Sequence, residues 1–254
     1  MRKCAEIYPR RKKRRNFFEA WINREIVGSV VISEIFHSIQ GEGPTAGRPA
    51  VFVRLGVCNL SCSFCDTSYT WKKGEEDYSD EANERVVTQI VELLKGHPYT
   101  NTVVWTGGEP MLQQREIVAV MDYLTAALPR RLLEHEVETN ATVRAQPEFD
   151  KRVLRYNCSP KTAISGCGPY TIQLKDASKC TYKYVVGTKE DCAEALKEIE
   201  RQKIPRDRCF FMVLGTTAKE MLERSPAIAE VCKREGIALC IRLQSILWDA
   251  KRGV

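Results

Sequence analysis

From Val30 onward the apolar positions fall into two alternating rhythms. Short apolar runs at residues 30–36, 50–56, 102–105, 132–137, 182–186, 209–213 and 238–243 predict β-strands. Between them, apolar residues recur at helical spacing: Val86, Val87, Ile90, Val91 and Leu94 within 81–94, then Ile117, Met121 and Leu124 within 113–126. Residues 189–200 and 218–234 are the other two predicted helices. Gly96-His97-Pro98 stops the first helix, Thr217 and Glu220 offer a capping box for the last, and Gly236 offers its C-cap. Ser225-Pro226 predicts a restart of that last helix, with proline at its first position.

The run at 50–56 is almost continuously apolar, as expected of a strand buried on both faces of a parallel sheet. Strand and helix alternation therefore predicts an α/β fold with a mainly parallel sheet and functional loops at the strands' carboxyl ends. The strand and helix pairs are too few for a closed eight-stranded barrel. An open, partial (β/α) barrel is expected.

Composition changes this picture only at the N-terminus. The net charge of +6 in 254 residues would suggest a nucleic-acid partner, but Met1 to Arg15 alone holds eight Lys or Arg against one Glu, so the remainder is close to neutral. Residues 1–29, with the run from Arg10 to Arg15 followed by Phe17, Phe18 and Trp21, are expected to be a poorly ordered basic extension. Residues 30–254 are expected to form one core domain, without a nucleic-acid partner. No stretch has the ~18 consecutive apolar residues of a membrane span, and no secretory signal is evident, so a cytoplasmic location without membrane contact is expected. Eleven cysteines, an odd count, fit reduced thiols and a metal site better than a disulfide scaffold. Cys192, Cys232 and Cys240 are expected to be small buried hydrophobes.

The chemistry concentrates in Cys58-x3-Cys62-x2-Cys65, directly after the predicted strand at 50–56. Spacings of three and two residues bring three thiolates to one metal centre, and thiolates are the preferred ligands of iron-sulfur clusters. A structural zinc ion would need a fourth ligand, which only a distant Cys or His could supply. A second loop, Thr106-Gly107-Gly108-Glu109-Pro110, follows the next predicted strand; its glycines let backbone approach a ligand, and Glu109 can accept a hydrogen bond from an ammonium group.

The three-cysteine loop with Phe64 before its last cysteine, joined to the Gly-Gly-Glu turn, resembles the radical S-adenosylmethionine (SAM) superfamily. Phe36-His-Ser-Ile-Gln-Gly-Glu-Gly-Pro44, Gly47-Arg-Pro-Ala-Val-Phe-Val-Arg54, Cys65-Asp-Thr67, Glu138-Thr-Asn140, Ser159-Pro-Lys161 and the ending Leu247 to Val254 are similar to the 7-carboxy-7-deazaguanine synthase family of that superfamily. The similarity runs in order over roughly residues 31–254 and is densest up to Lys161.

The resemblance implies a radical SAM partial barrel and a rearrangement of 6-carboxy-5,6,7,8-tetrahydropterin to 7-carboxy-7-deazaguanine with loss of ammonia, in queuosine or deazapurine biosynthesis. It implies a 4Fe-4S cluster on Cys58, Cys62 and Cys65, with the fourth iron open to SAM, and a 5′-deoxyadenosyl radical that takes and returns a substrate hydrogen. SAM would meet Gly107, Gly108, Glu109, Ser159, Pro160 and Lys161. The pterin would meet Ile39, Gln40, Gly41, Glu42 and Thr106, and the terminal carboxylate of Val254 is a candidate substrate ligand. Arg54 offers a planar fork suited to the substrate carboxylate, and has no obvious partner in the sequence. Asp66 and Thr67 supply hard oxygens of the kind magnesium prefers, or cap a helix. A flavodoxin- or ferredoxin-like reductant and a homodimer complete the expectation.

Three positions depart from the family pattern. Gln244 stands where many relatives carry a histidine in the last strand, Met212 to Thr217 replaces a more polar segment, and the first thirty residues have no counterpart. A radical SAM glycyl-radical activase shares the two loops, but would leave Gln40 to Gly43 and Arg54 unexplained. A zinc-stabilised RNA-binding protein is the non-enzyme alternative, and the near-neutral body counts against it. Metal analysis after anaerobic reconstitution separates the readings: about four irons with acid-labile sulfide per chain for the cluster, about one zinc for the alternative.

Overall fold

The computed structural model describes residues 29–254. The basic extension expected over 1–29 lies, but for Ser29, outside the described residues. Among the described residues nine strands form one open sheet: β1 (Ser29–Ile39), β2 (Pro49–Leu55), β3 (Ser79–Ala82), β4 (Thr102–Gly107), β5 (Glu134–Thr139), β6 (Val153–Cys158), β7 (Cys180–Val186), β8 (Cys209–Val213) and β9 (Ala238–Cys240). Their order is β3-β1-β2-β4-β5-β6-β7-β8-β9. β1 runs antiparallel to β2 and β3, and every pairing from β2 to β9 is parallel. The helices are α1 (Asn83–Gly96), α2 (Gln114–Ala127), the short α3 (Pro147–Asp150), α4 (Lys189–Gln202), α5 (Ala218–Glu235) and α6 (Leu243–Trp248).

Period-two alternation gives the sheet two different faces. Val51, Val53, Leu55, Val103, Trp105, Val137, Tyr182, Tyr184, Phe211 and Val213 join the main core with Val86, Ile90 and Leu94 of α1 and Ile117, Met121 and Leu124 of α2. Among the described residues the opposite, inner face carries two small apolar groups, Ala50, Phe52 and Val104 with Phe36, and Val185, Met212 and Cys240 with Phe64. Between them the inner face is polar, with Arg54, Thr106, Glu136, Glu138, Asn157 and Lys183. Burial of the outer face holds the helices on the sheet, and the inner face is left for a site.

The expected partial barrel is thus present, with four differences of detail. β3 and β6 were not expected: Ser79–Ala82 is a polar edge strand, and Arg155 and Asn157 interrupt the apolar run of Val153–Cys158. The strand expected at 132–137 is shifted to Glu134–Thr139, which leaves Leu132 exposed. The last strand stops at Cys240, so Gln244 sits in α6 rather than in a strand. α5 runs unbroken through Pro226, correcting the expected restart: the Ser225 hydroxyl donates to the Met221 carbonyl at 2.6 Å, one turn back. Thr217 accepts from the Glu220 N–H, Glu220 turns instead to Thr216, and Gly236 closes the helix at φ +66°. Cys192 and Cys232 are buried in the main core, and Cys240 on the inner face.

α4 carries a complete capping box: Thr188 accepts from Asp191 N, and the Asp191 carboxylate accepts from Thr188 N and Gly187 N. Thr188→Ala should cost about 1 kcal/mol and lower the thermal midpoint by about 2–4 °C. Calorimetry of the variant checks it.

Candidate active site

A cavity of about 370 Å³ opens at the carboxyl ends of the strands, on the polar inner face. β2 contributes Arg54, β4 Thr106 and Gly107, β5 Glu138, β6 Asn157, β7 Lys183 and β8 Met212; the loops after them add the rest.

The cysteine loop is built on the end of β2. Val57 takes a left-handed φ of +68°, uncommon for a β-branched residue, and the neighbouring hydrogen bonds hold it there: Val57 N to Thr70 O at 2.7 Å and Glu109 N to Val57 O at 2.8 Å. Asn140 Nδ2 donates to Asn59 Oδ1 and Asn59 Nδ2 to Thr142 Oγ1, tying the loop to the end of β5. Cys58, Cys62 and Cys65 are all partly exposed and line the cavity. Leu60 N donates to Cys58 Sγ and Trp71 Nε1 to Cys65 Sγ at 3.2 Å, N–H groups of the kind that tune a cluster's sulfurs. Burial pushes the Cys62 thiol up to about 12 and raises Cys58, and Lys161 opposes both. Among the described residues no three His, Cys, Asp or Glu side chains converge on a single ion.

Gly107 has φ +110°, and a Cβ there would strike the Leu55 backbone and crowd Cγ of Arg54. A Cβ on Gly108 would strike the Val57 carbonyl, so the two loops touch backbone to backbone. Glu109, by contrast, is fully buried behind the wall. It accepts from Thr139 Oγ1 at 2.7 Å, Asn140 N at 2.7 Å and Met111 N at 3.0 Å, and burial raises its pKa against those bonds. The structure therefore brings Gly107 and Gly108 to the cavity and leaves Glu109 supporting them.

Ser159 and Lys161 line the cavity and bond each other at 2.7 Å; Pro160 does not line it. Ile39, Gln40, Gly41, Glu42 and Thr106 do. Gln40 donates to Glu138 and accepts from Glu42 N, while Thr106 donates to Glu138 at 2.7 Å. Glu42 pairs with Lys183 Nζ at 2.5 Å and accepts from Gln244 Nε2 at 2.9 Å. Burial alone would raise the Glu42 pKa, but Lys183 and Arg242 outweigh it and hold the carboxyl at about 2. The same pair keeps Lys183 charged although burial opposes it. Gln244 packs across Gly41, where a Cβ would collide with its amide oxygen, and that oxygen has no hydrogen-bond partner among the described residues.

Arg54 has a partner after all: its Nε pairs with Glu34 Oε1 at 2.6 Å. Asp66 pairs with Arg242, which also donates to the Gly215 carbonyl in the departing segment Met212 to Thr217. Thr67 occupies the cap position of the 3-10 turn Ser68–Thr70 without a side-chain capping bond, and its hydroxyl lies 3.6 Å from Cys65 Sγ. Val254 lines the cavity and its main-chain oxygen accepts from the Ser38 hydroxyl. Sequence reasoning gave no role to Lys183, Glu138, Asn157, Arg242 or Glu34. The one available signal was a lysine in the centre of the otherwise uncharged strand Cys180–Val186, where a buried charge requires partners.

Residues 53–224 match the family model described as the Radical SAM superfamily, which sets the class. A 7-carboxy-7-deazaguanine synthase of Pyrobaculum aerophilum is 36% identical, over 88% of this chain and 97% of the relative. One of Hyperthermus butylicus is 32% identical, over 85% and 92%. The crystal structure of QueE from Escherichia coli, 24% identical, covers 84% of this chain and 93% of that one at a TM-score of 0.63, a likeness of fold. The chain belongs to the 7-carboxy-7-deazaguanine synthase family of radical SAM enzymes. A 4Fe-4S cluster and SAM are its cofactors, and three thiols around one cavity beside a bare glycine backbone suit both. The activase and zinc readings find no support.

Lys183→Met should leave Glu42 buried without its counter-charge, costing about 3–5 kcal/mol at pH 7. Because the Glu42 pKa is depressed, its contribution is complete above the ordinary carboxylate range and is lost as pH falls towards about 2. The gap between wild type and variant in denaturant melts should therefore narrow between about pH 4.5 and 2.

Proposed function

We propose that the protein converts 6-carboxy-5,6,7,8-tetrahydropterin to 7-carboxy-7-deazaguanine with loss of ammonia. The observation that carries this is the sharing of one cavity by the three cluster thiols and a polar wall with Arg54 at its edge. When bound, the cluster and SAM supply the one-electron cleavage that yields a 5′-deoxyadenosyl radical.

The chain's own residues bind and orient. Cys58, Cys62 and Cys65 hold three irons. Backbone groups of Gly107 and Gly108, with Ser159 and Lys161, flank SAM, and Glu109 acts from behind by fixing the turn. Arg54 turns its outer nitrogens to the substrate carboxylate. The Gln40, Thr106 and Glu138 cluster meets the polar edge of the pterin, with Ile39 and Gly41 as its backbone border. Glu42, held ionised by Lys183, fixes the negative charge of that wall. Magnesium would sit against Thr67, its hard hydroxyl oxygen, with Asp66 exchanging Arg242 for the ion, and would neutralise substrate charge. Val254, beside Ser38, meets the substrate through its main-chain oxygen.

The reading includes an external one-electron donor of the flavodoxin or ferredoxin kind, a homodimer and a cytoplasmic location for residues 30–254 acting as one core domain. No described helix is long and apolar enough to cross a membrane. The test is anaerobic incubation of reconstituted enzyme with the carboxypterin, SAM and reductant. Mass spectrometry should show 7-carboxy-7-deazaguanine and ammonia in equal amounts with SAM conserved, and Cys62→Ala should abolish both cluster and product. Turnover by iron-free, zinc-loaded protein would sink the reading.

A further inference from the structure

Strand β1 changes faces partway along its length. Val30 and Ile32 belong to the core beneath the helices, and strict alternation would send Glu34 to the same side. The pairing with β2 is irregular at this point: Ile32 lies opposite Leu55 and Glu34 opposite Arg54, so two residues of β1 span one of β2. That extra residue, Ser33, inverts the alternation. Beyond it Ile35 packs on the helix side, while Phe36 and Ser38 face the cavity. A bulge of this kind re-aims a side chain, and the side chain it re-aims is a carboxylate.

Glu34 is then held from three directions. Arg54 Nε donates to Oε1 at 2.6 Å, the Tyr69 hydroxyl donates to the same oxygen at 3.1 Å, and Arg252 Nη2 lies 3.9 Å from Oε2. The Arg252 guanidinium stacks on the Tyr69 ring at 3.6 Å and pairs with Asp77 at 3.0 Å. Arg54 also stands over the Phe36 ring, 5.7 Å from its centre. Among the described residues, none accepts a hydrogen bond from Arg54 Nη1 or Nη2. Its inner nitrogen is occupied and its outer pair is available to the cavity.

We propose that Glu34 is a positioning residue for substrate recognition. By taking Nε of Arg54, and being fixed in turn by Tyr69 and Arg252, it aims the two outer nitrogens at a carboxylate of the substrate. This rests on the reading of Arg54 as the carboxylate anchor. A fork held at its base loses less freedom on binding a planar anion than a free one.

The experiment compares the reconstituted holoenzyme's affinity for the 6-carboxypterin and for its 6-carboxamide analogue, which lacks the charge. In Arg54→Lys the carboxylate compound should lose about thirtyfold and the carboxamide far less. Glu34→Ala should lose about tenfold for the carboxylate, under twofold for the carboxamide, with the iron content of the wild type. Glu34→Gln, which keeps an acceptor for Nε, should lose roughly threefold and carries the test if the alanine variant does not fold. Adding Glu34→Ala to Arg54→Lys should cost little more.

Equal losses for both compounds, no loss, or tighter carboxylate binding in the Glu34 variants would overturn the proposal; tighter binding would show Glu34 competing for the guanidinium. An unchanged preference in Arg54→Lys would remove the anchor itself, and the positioning role with it.

Discussion

A lysine ammonium sealed inside a sheet must be surrounded by carboxylates, and Lys183 sets the plan of the barrel interior. Its Nζ lies 2.5 Å from Glu42 and 3.8 Å from Glu138, joining β7 to the loop after β1 and to β5. Leaving either charge unpaired in a buried setting costs far more than the pair contributes. The contact thereby fixes where the chain turns after β1. Gln40, Glu42 and Gln244 then follow as a connected polar wall.

The sheet separates two tasks. Its outer face buries apolar side chains against the helices and supplies the stability. Its inner face forgoes much of that burial to hold polar groups in fixed places, and they hold one another: Thr106 and Gln40 on Glu138, Asn157 and Arg155 on Glu136, Glu34 on Arg54. Such preorganisation suits chemistry in which cofactors make the reactive species and the protein supplies position and charge. The cysteine loop belongs to the same framework, since its backbone is bonded to the glycine turn after β4 and its side chains to the end of β5.

Much of the fold was legible because the strands that carry helices are strongly apolar and evenly spaced, so seven of the strand positions and the four long helices follow from periodicity. β6 was not legible because its inward Arg155 and Asn157 break the apolar run, and they do so for the sake of Glu136. The cysteine loop and glycine turn stand out locally in the sequence. The sequence shows the chemical type of Glu109 but not its depth behind the cavity wall. The partner of Arg54 was not legible because Glu34 stands on another strand and reaches it only through a bulge, and a strand's own pattern does not say which residue of a neighbouring strand it will face. Lys183 and Arg242 are single charges whose partners lie far away along the chain, at Glu42 and Asp66.

The central claim is that Cys58, Cys62 and Cys65 hold three irons of a cluster and leave the fourth to SAM. Mössbauer spectroscopy of protein reconstituted with iron-57 tests it directly. Addition of SAM should shift the signal of about a quarter of the iron, the one site without a cysteine ligand, and leave the remainder in place. A spectrum unmoved by SAM, or one in which all the iron responds alike, would contradict the account.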